Sequence, residues 1–263
     1  MLILGALILI SVAGTAVAYS GSPSSAPGVA PAGWQRPVVR ARAEPQQPGR
    51  RSRPLLAVVG ASVSAGVGAG NLQHAWPQDL ARMLHWRVLV SADPGAGYVN
   101  PGAGHRGPFS RLASRLDLGR LDPRLILIQG GHDDIGQPLP LISDRVESLV
   151  TAIRREAPHA RLAVLSVFAR GNRPSSETLA TDRTILAAAR HADPTILAFD
   201  PLARHWKFPR IGDHLHPSAA GHQWIAKRLA AGLRERFGDG LSTAREFEGA
   251  PSRSSAAPPA APR

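Results

Sequence analysis

Cysteine is absent from the 263 residues, which excludes a disulfide framework and any metal site built on thiolates. It leaves the compartment open, because an exported domain can do without disulfides. Aromatic residues make up 5% of the chain, and no basic run is interleaved with aromatics as a base-stacking surface requires. A nucleic-acid partner is therefore not expected, even at a net charge of +12. Residues 20–54 hold six Arg and one Glu, residues 239–263 balance three Arg against three acids, and the first 19 residues carry no charged side chain. The remaining +7 belongs to residues 55–238 and reads as a solvated basic surface suited to anionic envelope polymers or lipids.

Charge is also missing from Leu2 to Ala18, and Ala16-Val17-Ala18 has the small-x-small form cut by signal peptidases. Residues 1–19 are thus expected to be a signal peptide that exports the chain. An uncharged stretch of about 18 residues also stands at the lower limit for spanning a bilayer, so an uncleaved transmembrane anchor is the alternative. Either one places the protein outside the cytoplasm. Residues 20–54 and 239–263, rich in Ala, Pro, Gly, Ser and Arg, offer too little apolar surface to offset ordering entropy and are expected to be a disordered linker and tail. No internal repeat is visible.

Between residues 55 and 238 short apolar runs alternate with stretches of helical period, the mark of βα units and a parallel sheet. Strands are expected at 55–59, 87–90, 125–128, 162–168 and 196–199. Helices are expected near 75–85, 142–153, 176–191 and 218–237. The run Leu125-Ile126-Leu127-Ile128 is the most continuously apolar and so central. Five strands with intervening helices imply an open doubly wound α/β sheet, whose chemistry gathers where the strands end.

Directly after the first strand stands Gly60-Ala61-Ser62-Val63-Ser64-Ala65-Gly66. A Ser at a strand-to-helix turn projects its hydroxyl at the sheet edge while backbone N–H groups point into the same space. Alone, it is equally a Ser helix cap in a glycine-rich loop. No Lys is present for a phosphate-binding loop, and the spacing of Gly66, Gly68 and Gly70 does not match a dinucleotide fingerprint. Before the last helix comes Asp213-His214-Leu215-His216-Pro217. An Asp three residues ahead of a His can fix one ring nitrogen and leave the other free as a base for Ser62. Gln129-Gly130-Gly131-His132-Asp133-Asp134 follows the third strand, and Asp93-Pro94-Gly95-Ala96-Gly97-Tyr98 the second. Each of these two, taken alone, is a turn.

Together the four segments resemble, in order and strand position, the blocks of the SGNH (GDSL-like) hydrolases. The first is similar to that family's Gly-Asp-Ser-Leu block with Ala61 in the place of Asp, and Asp213 and His216 match its Asp-x-x-His. Gly130-Gly131-His132-Asp133 resembles its Gly-x-Asn-Asp with His132 in the Asn place, and the oxyanion glycine corresponds to Gly95, or with a shift to Gly97. The resemblance implies a three-layer α/β/α flavodoxin-like fold with a five-stranded parallel sheet, no cofactor and no metal. It implies ester hydrolysis or acyl transfer through an acyl-Ser62, with His216 as base, Asp213 holding it, and Ser62, Gly95 and His132 donating to the oxyanion. A neutral imidazole N–H can fill that last role. The expected substrates are small-molecule or polymer-linked esters, on lipid or cell-envelope carbohydrate.

Two rival readings come from other classes. His132, Asp133, Asp134, His214 and His216 supply enough N and O ligands for a metal-dependent hydrolase. A non-catalytic envelope-binding module on a degenerate hydrolase fold would explain His132 as decay. The domain boundaries are tested by deletion: a chain lacking residues 1–54 and 239–263 is expected to stay soluble and keep its esterase activity. Precipitation or loss of activity would show that a terminal segment packs on the domain.

Overall fold

The computed structural model describes residues 53–171 and 173–238. Its sheet has five strands, β1 (Leu55–Gly60), β2 (Arg87–Ala92), β3 (Leu125–Gln129), β4 (Arg161–Leu165) and β5 (Leu197–Phe199). All neighbours pair in parallel, in the order β2-β1-β3-β4-β5, the flavodoxin-like arrangement. β3 is central, as its unbroken apolar run requires. The helices are α1 (Trp76–Leu84), α2 (Phe109–Ala113), α3 (Leu118–Leu121), α4 (Leu139–Glu156), α5 (Ser176–Ala192) and α6 (Ala219–Phe237).

Side chains alternate across a strand, so each strand feeds two cores. Leu56, Val58, Leu125, Leu127, Ala163 and Leu165 pack with Trp76 and Leu80 of α1 and Ile225, Leu229 and Leu233 of α6. Ala57, Val59, Ile126, Ile128, Leu162 and Val164 face α2, α4 and α5, where Ile142, Val146, Leu149, Val150 and Ile153 make one buried stripe. The result is three layers around a sheet buried on both faces. α6 begins under a Ser218 cap that accepts from the Gly221 N–H at 3.3 Å, and it stops at Gly238, where φ is 55°.

The fourth strand is shorter than its apolar run. Ser166 still donates to the Phe199 carbonyl at 3.0 Å, but the Val167 N–H donates to Asp182 Oδ1 of α5 at 3.2 Å. A helix carboxylate thereby draws the chain out of the ladder before Phe168. The short helices α2 and α3 and the 3-10 turns Leu72–His74 and His132–Asp134 do not emerge from periodicity, because none spans two helical turns.

The five strands end in one register row: Ala92 lies beside Gly60, Gly60 beside Gln129, Gln129 beside Leu165 and Leu165 beside Phe199. Every segment singled out after the first three strands therefore leaves the sheet at one level.

One buried histidine ties α6 to the loop after β1. His222 is fully buried; its Nε2–H donates to the Val67 carbonyl at 2.9 Å, and its Nδ1 accepts from the Trp76 N–H at 3.3 Å. Both contacts need the neutral ring, and burial depresses its pKa below the ordinary 6.5. His222→Leu would leave two buried backbone groups unpaired, at about 1–3 kcal/mol each, so thermal melting should drop by on the order of 10 °C. The stability from the neutral ring is complete above pH 6.5 and is lost as pH falls through the depressed value, so the variant should also show a shallower acid loss. A melt within about 2 °C of wild type at neutral pH would contradict this role.

Candidate active site

The turn after β1 is folded by its own sequence. Ala65 N–H donates to Ala61 O at 2.9 Å and Val67 N–H to Ser62 O at 3.0 Å. Ser64, buried, donates through N–H at 3.1 Å and through Oγ at 2.7 Å to the same Gln129 Oε1 at the end of β3. Gly60 makes room for this, since a Cβ there would stand 2.3 Å from Ser64 Oγ. With Ser64 bound to the sheet, half-buried Ser62 is the hydroxyl left facing the cleft.

The loop before α6 meets that turn. Ile211 N–H donates to His216 O at 3.0 Å and His214 N–H to Ile211 O at 3.1 Å, a tight loop that places His214 at a φ of 61°. The His214 carbonyl accepts from Gly171 N–H at 2.9 Å. Gly68 admits this loop against the first, because a Cβ there would come 2.1 Å from the Pro217 carbonyl.

Three side chains then fall in line. Asp213 Oδ1 accepts from the Leu215 and His216 N–H groups, both at 2.9 Å, and its Oδ2 lies 2.5 Å from His216 Nδ1. Ser62 Oγ lies 2.8 Å from His216 Nε2. Burial works to raise the Asp213 pKa, but the hydrogen bonds from the His216 ring and the two N–H groups outweigh it and hold the carboxyl below its ordinary value. A carboxylate at Nδ1 keeps the proton there, so Nε2 presents a lone pair to the Ser62 hydroxyl.

The loop after β2 supplies backbone donors. Gly97 N–H is taken by the Asn100 carbonyl at 3.0 Å, whereas the Gly95 and Ser62 N–H groups meet no protein acceptor among the described residues. Of the two glycines considered, Gly95 is the one with a free donor. Asp134 fixes this loop: fully buried, it accepts from Tyr98 N–H at 2.8 Å, Val99 N–H at 3.0 Å and Asn100 N–H at 3.1 Å. Its anchoring role escaped sequence reasoning, since nothing in His132-Asp133-Asp134 marks which carboxylate turns inward.

His132 and Asp133 complete the site. His132 Nδ1 lies 3.1 Å from the Phe168 carbonyl, which only accepts, so this nitrogen carries the proton and the neutral ring leaves Nε2 an acceptor. Burial depresses the His132 pKa, and nearby Arg170 and His216 add to the effect. A donor role for His132 at the oxyanion thus requires an imidazolium that its surroundings oppose. Asp133 moves the other way: burial, reinforced by Asp134, pushes it up to about 6, with His216 offsetting part.

The proposed metal ligands do not converge. His132 turns to Phe168, Asp134 to the loop after β2 and Asp213 to His216, while His214 is exposed. Among the described residues no group of three or more His, Asp or Glu is arranged to hold a metal ion.

The chain is similar to known proteins in sequence and in fold. The GDSL lipase Rv0518 of Mycobacterium tuberculosis is 29% identical over 189 residues, covering 66% of this chain and 79% of that one. A family two carbohydrate esterase from Clostridium thermocellum, solved with cellohexaose, superposes with a TM-score of 0.55 at 18% identity, over 72% of this chain and 66% of its own. The Cellvibrio japonicus family two esterase gives a TM-score of 0.59 at 15% identity, over 72% and 63%. This chain thus spans just under two thirds of those esterases. A G-D-S-L lipolytic protein from Desulfitobacterium hafniense, described as putative, gives 0.51 at 15%, over 67% of this chain and 98% of its own. The pattern of the GDSL-like Lipase/Acylhydrolase family matches residues 58–224, and on that match the chain belongs to this family of ester-hydrolysing serine hydrolases.

Proposed function

We propose that the protein is a serine esterase of the cell exterior, secreted or membrane-anchored through residues 1–19, that removes or transfers acyl groups of lipid or envelope-carbohydrate esters through an acyl-Ser62. The observation that carries the reading is the unbroken line Asp213–His216–Ser62, with contacts of 2.5 and 2.8 Å and each ring nitrogen on the partner its protonation demands. Ser62 Oγ attacks the ester carbonyl as His216 Nε2 takes its proton, and Asp213 stabilises the imidazolium that forms. The Ser62 and Gly95 N–H groups meet the developing oxyanion. The alkoxide leaves with the proton from His216, and water or a sugar hydroxyl then takes the acyl group by the reverse route.

Carbohydrate-linked esters are supported by the fold shared with esterases that act on polysaccharide, and lipid esters by the mycobacterial relative named a lipase. The basic surface of the domain suits an anionic envelope around either substrate. Hydrolysis of acetylated xylan and of long-chain acyl esters, measured side by side, separates the two.

Labelling with a fluorophosphonate probe followed by peptide mass spectrometry tests the nucleophile. Modification of Ser62 is expected; folded protein that resists labelling would favour the binding module. Ser62→Ala should abolish turnover of p-nitrophenyl acetate while its melt stays within about a few degrees of wild type, since a cleft hydroxyl adds little to packing. Asp213→Asn should keep the fold yet lower kcat by about 10⁴, because an amide at Nδ1 no longer fixes the productive tautomer. A loss under about tenfold would show that Asp213 does not orient His216.

A further inference from the structure

The 3-10 turn His132–Asp134 has three residues per turn, so its successive side chains point about 120° apart. Two of the three directions are taken. Asp134 points inward to the N–H groups of Tyr98, Val99 and Asn100, and His132 reaches toward the end of β4, to the Phe168 carbonyl. Asp133 takes the third, where the charges acting on it are Asp134 of its own turn and His216 of the loop before α6. The adjacent His132 faces Arg170 of the loop after β4, and the loop after β2 contributes only uncharged Asn100, whose Nδ2 donates to the Asp133 carbonyl at 3.1 Å. That bond and the three on Asp134 fix the turn from both sides, so the Asp133 side chain is held half-buried, within reach of the charge of His216.

Among the described residues, this geometry leaves Asp133 as the side chain of the block that no other segment holds. Read one position later, Gly131-His132-Asp133-Asp134 puts Asp133 in the Asn place of Gly-x-Asn-Asp and the buried anchor Asp134 in the place of its closing Asp. A carboxylate cannot donate a hydrogen bond, but a neutral carboxylic acid can, and an apolar site is what keeps it neutral.

We propose that Asp133, as the neutral acid, is the side-chain donor to the oxyanion, and that its ionisation switches this donor off. The inference rests on Ser62 being the nucleophile. In the step concerned, the Ser62 Oγ–carbon bond forms and the carbonyl π pair moves onto oxygen. The Ser62 proton passes to His216 Nε2, while Asp133 keeps its own proton and shares it with the oxyanion. Collapse restores the carbonyl, and the leaving alkoxide takes the proton from His216. Ionised, Asp133 sets a negative charge beside the oxyanion instead. With its pKa at about 6, only about 1% of the protein has the neutral acid at pH 8.

The test is kcat against pH for wild type, Asp133→Asn and Asp133→Ala, each checked for an intact melt, with fluorophosphonate labelling of the same samples. An Asn donates at every pH. The ratio of Asp133→Asn to wild-type kcat should therefore climb with pH above about 6 and exceed about tenfold by pH 8, with little change in KM. Asp133→Ala should run about 10²–10³ below Asp133→Asn throughout. A ratio that stays flat with pH would overturn the proposal, even if the Ala variant fails to fold. So would an Asn variant as slow as a folded Ala variant. A fall of about 10²–10³ in His132→Ala beside a flat Asp133→Asn ratio would return the role to His132. Wild type labelled at Ser62 with a flat ratio would defeat this inference alone, whereas absence of labelling would defeat the serine mechanism and this inference with it.

Discussion

Five parallel strands that end in a single row are the constraint on which the rest of the structure depends. Ala92, Gly60, Gln129, Leu165 and Phe199 lie side by side, and the chain continues past that row through matching hydrogen bonds: Asp93 N–H to Gly60 O, Ala61 N–H to Gln129 O, Gly130 N–H to Leu165 O and Ser166 N–H to Phe199 O. Ser62, Gly95 and His132 each follow within three residues of their strand ends. Their mutual positions are therefore set by the backbone ladder and not by flexible side chains. The chain reverses its winding between β1 and β3, and the crevice of a doubly wound sheet opens at that point.

The site built there separates its titratable groups by environment. Asp213 remains an anion because three N–H donors compensate its burial, and Asp134, with three backbone donors of its own, serves as an anchor. Asp133 accepts from its own backbone N–H, but burial, reinforced by Asp134, outweighs this and pushes it toward neutrality. His132 and His222 are each bound to a carbonyl through one ring nitrogen and are depressed by burial. Carboxylates of one type are thus pushed in opposite directions, Asp213 down and Asp133 up, and different roles follow.

Much of this was legible in the sequence. Runs such as Leu125 to Ile128 declare a buried parallel strand, and the stripe from Ile142 to Ile153 declares a helix face, because both periods follow from backbone geometry. The spacing of Asp213 and His216 carries its own meaning, since three residues suffice for a carboxylate to fold back on a ring. Direction within a tight turn does not carry over in this way. His132, Asp133 and Asp134 are adjacent polar residues whose order says nothing of which turns to Phe168 and which to the core; contacts with distant segments decide it. The same holds for Gly95 and Gly97, told apart by a single carbonyl at Asn100, and for β4, shortened by Asp182 from another element. The terminal segments read as signal or anchor, linker and tail lie outside the described residues, except Arg53 and Pro54 of the linker, whose carbonyls accept from Arg87 of β2.

The proposed catalysis turns on a covalent bond to Ser62 made with the help of His216. Rapid acid quench of the protein during turnover of p-nitrophenyl acetate, followed by peptide mass spectrometry, reads that bond directly. The predicted result is an acetyl group on Ser62 that forms with the burst of p-nitrophenol and is absent from His216→Ala under the same conditions. Steady turnover with no acetyl on Ser62, or with the acetyl on another residue, would contradict it.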